Sequence, residues 1–411
     1  MLPTVVAPDE IVLGIDFGTS YSRATAIIDG NVQMVLDAGD ASIPSVVHFP
    51  RQQDPIVGKD ALKYLSSQPS TTVTSVKRLL GRSKSDPEVR SVDASVSYQI
   101  KSGPGDQVIL RLHDQDFAPA QITAAILTKL RRLAERRFGG TIRHVVLTAP
   151  AEASGEYLIA LKRAASLAQL EVLQFIAESL AGVLAYGLHA KPADRRIAVC
   201  DFGGGTFDAS FVEQRGKSFR NVGYAGDPFL GGDDFDSAMA EGVSGIVFGK
   251  KQVDLHRDAV VWRELLLRCE SVKRQISNSN EARLHLREAY MSGGVYEVDL
   301  MVERSWIEPR WQPLIERAEA VIRDLTATTG WTLSDIDEVV LIGGTTLVPM
   351  VRQALGKLFD KPLRTSDFAD VAVAVGAAIQ AAAWAKRSKG TTTTETTLPM
   401  LEVPRKTKDS G

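Results

Sequence analysis

The stretch Cys200-Asp201-Phe202-Gly203-Gly204-Gly205-Thr206-Phe207-Asp208 constrains this chain more than any other. It ends the apolar run Arg196-Ile197-Ala198-Val199-Cys200, which predicts a buried strand, and it precedes Ala209-Ser210-Phe211-Val212-Glu213, which predicts a second. Three glycines between two strands expose a row of backbone N–H groups with no side chains in the way, a shape that wraps a phosphate chain. Asp201 and Asp208 bracket the turn, and carboxylates beside phosphates point to Mg²⁺, held directly or through water. For the glycines alone, a plain hairpin with a glycine bulge is the simpler account.

That simpler account weakens because the pattern occurs twice. Near the start come Ile11-Val12-Leu13-Gly14-Ile15-Asp16-Phe17-Gly18-Thr19-Ser20 and then Tyr21-Ser22-Arg23-Ala24-Thr25-Ala26-Ile27. An apolar strand again ends in Asp-Phe-Gly, a hydroxyl residue follows, and a second strand resumes. Repetition at this distance predicts two similar lobes, each offering one phosphate-binding turn. A third turn, Val339-Val340-Leu341-Ile342-Gly343-Gly344-Thr345-Thr346, leads to Pro349 and a helix. There Gly-Gly would let a flat ligand approach the backbone, with a mere strand-to-helix turn as the alternative.

The 411 residues suffice for two or more domains with their own cores, and 44% hydrophobic with 24% charged residues is ordinary globular composition. A net charge of −2 argues for neither nucleic acid nor a membrane surface as partner. Two cysteines, Cys200 and Cys269, make no disulfide framework and fit a reducing compartment. The first ten residues lack a basic n-region, and no apolar run reaches membrane-spanning length, so the expected location is the cytoplasm.

Along the chain, Ile11–Phe17, Arg23–Ile28 and Val32–Leu36 predict strands, with Asp29-Gly30 as a two-residue hairpin turn, and Ile43–Phe49 predicts another. Ser75-Val76-Lys77-Arg78-Leu79-Leu80-Gly81 is a basic turn whose spacing alone favours a solvated helix end. Strands near Val96–Ile100 and Val108–Leu112 precede an amphipathic helix from Ala118, stopped by Gly139-Gly140. His144–Thr148 and Glu171–Ile176 predict strands around a helix capped by Ser154, with Leu158, Leu161, Ala165 and Leu167 interior. A helix from Glu178 to Gly187 follows. The loop Asp227–Asp236 is dense in glycine and carboxylate; it lacks calcium-loop spacing and suits a helix N-terminus. Residues 236 to 330 predict helices around a strand pair near Ala282–Leu286 and Gly294–Leu300. Glu270, Lys273, Arg274 and Ser277 share one helical face, which by spacing alone is a surface ion pair. Asp370 precedes a small-residue helix, Val371–Gln380, suited to close packing, and residues 387–411 predict a flexible tail. Walker-type, dinucleotide, zincin and nucleophile-elbow motifs are all absent, and six scattered histidines form no constellation.

The three glycine turns, in this order, resemble those of the actin-like ATPase superfamily. More closely they are similar to the nucleotide-binding domain of the seventy-kilodalton heat-shock chaperones (DnaK type). Ile43-Pro44-Ser45, Val76–Arg82, Leu184–Leu188, Leu230-Gly231-Gly232-Asp233-Asp234-Phe235-Asp236 and Val375–Gln380 support the resemblance, which covers residues 10 to 385. It implies an α/β actin-like fold: two lobes, each a ribonuclease-H-like mixed sheet flanked by helices, with a nucleotide cleft between. The lobes would be 1–189, with a peripheral part near 51–118, and 190–386, with one near 228–306. No β-rich peptide-binding domain is expected before Gly411.

By the same resemblance, Asp16 and Asp201 would hold hydrated Mg²⁺ and the attacking water. Thr19, Ser20, Gly203, Gly204, Gly205 and Thr206 would contact the phosphates, and Gly18, Tyr21 and Gly231 would be further nucleotide-binding positions. Lys77 would reach the γ-phosphate, and Glu178, Asp208 and Thr206 would complete the catalytic shell. Glu270, Lys273, Arg274 and Ser277 would contact ribose and one face of adenine, and Gly343, Gly344, Thr345, Leu347 and Asp370 would border the adenosine from the other lobe. The implied ligands are ATP and ADP with Mg²⁺, with K⁺ as a further ion.

Departures from the pattern bear on function. Leu347 replaces an arginine that stacks on adenine; it keeps apolar cover but forgoes a cation–π contact of about 0.5–2 kcal/mol. Leu158 replaces a coupling arginine, Glu152 an aromatic and Ser179 a proline, while Leu398–Val403 is weakly similar to the apolar interdomain linker. The expected function is a monomeric, slowly hydrolysing ATPase of chaperone type, whose lobe closure regulates a client, co-chaperone or exchange factor. The alternatives are an actin-like filament protein, against which the Gly231–Asp236 loop argues, and a non-hydrolysing nucleotide sensor.

Overall fold

The computed structural model describes residues 10–187, 192–291, 294–365 and 368–388, with side chains outside 287–296 and 386–388. Two sheets carry the same strand programme. In the first, Leu13–Asp16, Tyr21–Ile28 and Asn31–Met34 form an antiparallel meander, and His144–Ala149 and Glu171–Ala177 add in parallel on the other side of Leu13–Asp16. In the second, Arg195–Phe202, Phe207–Arg215 and Ser218–Asp227 form the meander, and Glu338–Ile342 and Leu363–Arg364 the parallel pair.

The helices repeat as well. Pro119–Phe138, Gly155–Leu167 and Glu178–Ala185 follow the first meander; Arg304–Thr329, Pro349–Phe359 and Ala372–Ser388 follow the second. Each half carries an insertion between its meander and its first crossover helix. In the first half this holds short strands and helices from Ile43 to Phe117; in the second, the helices Gly232–Lys251 and Ala259–Ile276 with the hairpin Glu281–Met291 and Gly294–Glu303.

Local chemistry explains the boundaries. Asp29 at φ 52° and Gly30 at φ 80° make the left-handed pair that a two-residue hairpin needs. Ser154 accepts from the Tyr157 N–H at 3.2 Å as a helix cap, and Gln121 accepts from the Ala118 N–H at 2.8 Å. Gly139 stops the helix Pro119–Phe138 at φ 77°.

The halves meet through Glu178–Ala185 and Ala372–Ser388, which pack between the sheets with Val146, Ile176, Val199, Val340 and Ile342. The small-residue helix does pack closely. A Cβ on Gly376 would overlap the Ala181 carbonyl, and one on Gly14 would overlap the backbone of Ala377 and Ala378. At the outer end, Leu267 of the second half packs against the cluster Val46, Ala61 and Leu65 of the first.

Some expectations shift. Ile43–Phe49 is two short pairings in different sheets, Ile43–Pro44 on Tyr21–Ile28 and Val47–His48 between Ile56–Val57 and Thr72–Val73. Pro87–Ser95 is an unanticipated helix, and Ser218–Asp227 a strand whose polar, half-exposed sequence concealed it. Leu167 is 53% exposed rather than interior, because it lies in the helix's last turn. The final helix runs to Ser388; the rest of the expected tail, with Leu398–Val403, lies outside the described residues.

Gly376→Ala is therefore expected to lower stability by about 1–3 kcal/mol through overpacking. Gly245→Ala, in a helix where a Cβ meets open space, should raise it by about 0.5–1 kcal/mol. Chemical denaturation midpoints of the two variants check the opposite signs.

Candidate active site

The two acid-and-glycine corners open on one cleft of about 710 Å³. Asp16 closes the strand Leu13–Asp16, 8% exposed, directly opposite Arg23 in the hairpin. It accepts from the Thr148 hydroxyl at 3.3 Å and lies 3.6 Å from the Arg23 guanidinium, which also reaches Asp370 at 3.7 Å. Asp201 stands one residue before the end of Arg195–Phe202. The corners are in direct contact: a Cβ on Gly204 would overlap the Ser20 side chain, and one on Gly205 would press on Thr19 at 2.9 Å.

The glycine turn is held by its carbonyls. Gly203 O accepts from Gly232 N at 3.1 Å and from the Thr345 hydroxyl at 2.7 Å, Gly204 O from Asp233 N at 2.7 Å, and Gly205 O from the Arg78 guanidinium. The N–H groups of Gly204 and Gly205 have no acceptor among the described residues. Carbonyls engaged behind and donors free in front make an anion-binding nest. Arg78 is also 5.0 Å from the centre of the Phe229 ring.

Lys77 lies on the single turn Val76–Leu79 and donates to Glu178 at 2.7 Å. Burial, the largest influence, would lower the Lys77 pKa, but Glu178, Tyr157 and Asp16 together offset it and hold the ammonium above its usual range. Asp201 is pushed up to about 8, first by burial and then by Glu178 and Asp16. Asp208 is also raised, by burial and then by Glu152, Glu178 and Asp201. Four carboxyl groups, the buried Asp16 and Glu178 and the half-buried Asp201 and Asp208, thus share two cations, Lys77 and Arg23. Such an acid surplus fits a divalent cation. Among the described residues no three His, Cys, Asp or Glu side chains form a metal cage, so two carboxylates acting through water suit the site better than full protein ligation.

At the other end, helix Ala259–Ile276 presents Glu270, Lys273 and Arg274, with Ser277 as its C-terminal cap. Tyr21 donates to Glu270 at 2.6 Å, Arg274 pairs with Glu270 at 2.8 Å, and its guanidinium lies 5.2 Å from the Tyr21 ring centre. Burial and then Glu270 hold the Tyr21 phenol in its protonated form. Lys273 is committed to Asp236 at 2.7 Å and to the Gly232 carbonyl at 2.6 Å, fastening two helices together. Asp236 is nevertheless pushed up to about 7 by burial, against the pull of Lys273. Gly343, at φ 85°, has no room for a side chain beside Phe202 and Asp201.

Every residue expected at the site lines the cleft except Asp208 and Gly231. Asp208 sits behind Asp201, against Gly226 of the next strand, where a Cβ would come within 2.5 Å of its carboxylate. Gly231 packs under the glycine turn, and its N–H donates to Asp234 at 2.7 Å. Arg23, Asp233, Asn278, Arg352 and Gln353 line the cleft without having been expected. Arg23 was readable from hairpin register with Asp16, and Arg352 from its place one turn after Pro349; Asn278 and Gln353 carry no such signal. Asp233 meets Ser20 at 3.3 Å across the cleft, a contact no local spacing predicts. Of the substituted positions, Leu158 is 3% exposed in the first core, Glu152 is exposed, and the Ser179 hydroxyl is buried without a hydrogen bond.

Lys273→Ala leaves Asp236 buried without its counter-charge and is expected to cost about 3–5 kcal/mol of stability. The double variant Lys273→Met, Asp236→Leu should recover most of that loss in the same denaturation measurement.

A sequence model of the family described as Hsp70 protein matches residues 12–398. The chaperone protein DnaK of Buchnera aphidicola subsp. Schizaphis graminum (strain Sg) is 34% identical over 379 residues, covering 90% of this chain and 59% of that protein. The chain therefore spans about 59% of the length of the curated relative it matches. A family match of this extent, on a fold whose duplicated sheets bring both acid-and-glycine corners to one cleft, makes this chain a member of the Hsp70 family.

Proposed function

We propose that the cleft binds ATP and ADP with Mg²⁺ and hydrolyses ATP slowly to ADP and phosphate. Nucleotide state would then set how far two lobes, 1–189 and 190–386, close for a client, co-chaperone or exchange factor. The observation that carries this reading is the convergence of Asp16, Asp201 and the Lys77–Glu178 pair on the free N–H groups of Gly204 and Gly205. Asp16 and Asp201 would hold the hydrated ion, which supplies charge neutralisation at the phosphates. K⁺, implied by the family resemblance, would add to the same balance of charge.

The chain's own groups have separable tasks. The Gly204 and Gly205 N–H groups, with Thr19, Ser20 and Thr206, bind the phosphate chain. Lys77, kept charged and aimed by Glu178, donates to the terminal phosphate, where charge builds up during in-line attack by water. Asp201 orients that water, and Asp208, behind it, tunes Asp201 rather than touching ligand. Glu270, Arg274 and Ser277 face the nucleoside from one wall, and Gly343, Gly344, Thr345, Leu347 and Asp370 from the other. For Glu270 to reach the ribose, its bond to Tyr21 must be shared or given up.

Single-turnover hydrolysis is expected to fall by about 10²–10³ in Lys77→Ala, the magnitude for loss of one preorganised donor. Equal rates in variant and wild type would sink the hydrolysis reading while leaving binding intact. Calorimetric titration should show ATP affinity falling by at least about tenfold when Mg²⁺ is chelated.

A further inference from the structure

Five cationic side chains face the cleft: Arg23, Lys77, Lys273, Arg274 and Arg352. Four are committed to carboxylates: Arg23 to Asp16 and Asp370, Lys77 to Glu178, Lys273 to Asp236 and Arg274 to Glu270. Arg352 is different. Its Nε donates to the Thr346 carbonyl at 2.8 Å, and it has no ion pair among the described residues.

The placement of Arg352 narrows what it could bind. It projects from the helix Pro349–Phe359, one turn in, beside the cleft-lining Leu347, Val348 and Pro349. In the nucleotide reading above, that wall, built by the Gly343–Leu347 turn, borders the nucleoside, while the free glycine N–H groups and Lys77 border the phosphates. A half-buried guanidinium with only the Thr346 carbonyl as partner has lost hydration without gaining a counter-charge. Its Nε tether fixes the plane of the fork and leaves both Nη groups and the flat face available. A flat, electron-rich ring above Leu347 satisfies both the apolar wall and the charge.

We propose that Arg352 covers one face of the base of a bound purine nucleotide and sets the preference for purine over pyrimidine. Leu347 supplies apolar contact and Arg352 the charge. The inference rests on the nucleotide reading above and adds the residue that selects the base.

Calorimetry with MgATP, MgCTP and magnesium tripolyphosphate tests it on wild type, Arg352→Ala and Arg352→Gln. Glutamine keeps a donor for the Thr346 carbonyl but carries no charge. Both variants are expected to bind ATP about tenfold more weakly, to lose less for CTP, and to bind tripolyphosphate within about twofold of wild type, which also verifies a folded phosphate end. An equal loss for tripolyphosphate would mean that Arg352 serves phosphate charge and would overturn the assignment. So would undiminished ATP binding in either variant, since normal binding by Arg352→Gln alone would place the effect in the tether. Wild type that binds neither nucleotide removes the nucleotide reading itself, and with it this inference; wild-type binding matched by the variants removes only this inference.

Discussion

The structure depends on a steric constraint: two backbone corners from distant parts of the chain must touch. Ser20 and Thr19 lie against Gly204 and Gly205 so closely that a single added carbon would push the corners apart. Glycine here is required by the approach of a second chain segment rather than by unusual dihedral angles. The same demand recurs beneath, where Gly343 meets Phe202, and in the interior, where Gly376 meets Ala181. Cleft and core therefore follow one rule, in which side chains are removed where two backbone segments meet, whether between the halves or within one.

Close approach creates an electrostatic problem that the site turns to use. Carboxyl groups from three strands and a helix are gathered out of full contact with water, and two cations do not balance them. In isolation such burial is costly, and Asp201 and Asp208 hold their protons to a higher pH than free acids do. Metal and phosphate arriving together suit this arrangement, because the ion answers the acids while the nest of N–H groups answers the phosphates. Around this pocket Lys273 and Arg274 are locked in pairs with Asp236 and Glu270, which keeps their charge local.

Much of this was legible in the sequence, and the reasons are local. Asp16, Asp201 and the glycine turns are short segments whose repetition, rather than the glycines alone, points to backbone that binds something. The strand programme followed from alternating apolar runs and from Asp29-Gly30. Lys77 and Glu270 were different: spacing alone favoured solvated side chains, and only family resemblance placed them at the site. Asp208 looked equivalent to Asp201 because it brackets the same turn, yet the neighbouring strand with Gly226 holds it behind. Asp233 was invisible because its approach to Ser20 is set by packing between elements far apart in sequence.

The position of the two insertions has a consequence of its own. Both leave a sheet at the end of its meander and return before the first crossover helix, so the strands that carry Asp16 and Asp201 are unbroken by them. Lengthening or reshaping either excursion would remodel the outer contact, where Leu267 packs against the cluster of Val46, Ala61 and Leu65, while the strands that carry Asp16 and Asp201 stayed in register. The architecture thus separates the outer contact of the halves from the strands that build the cleft, and the two can vary independently within one polypeptide.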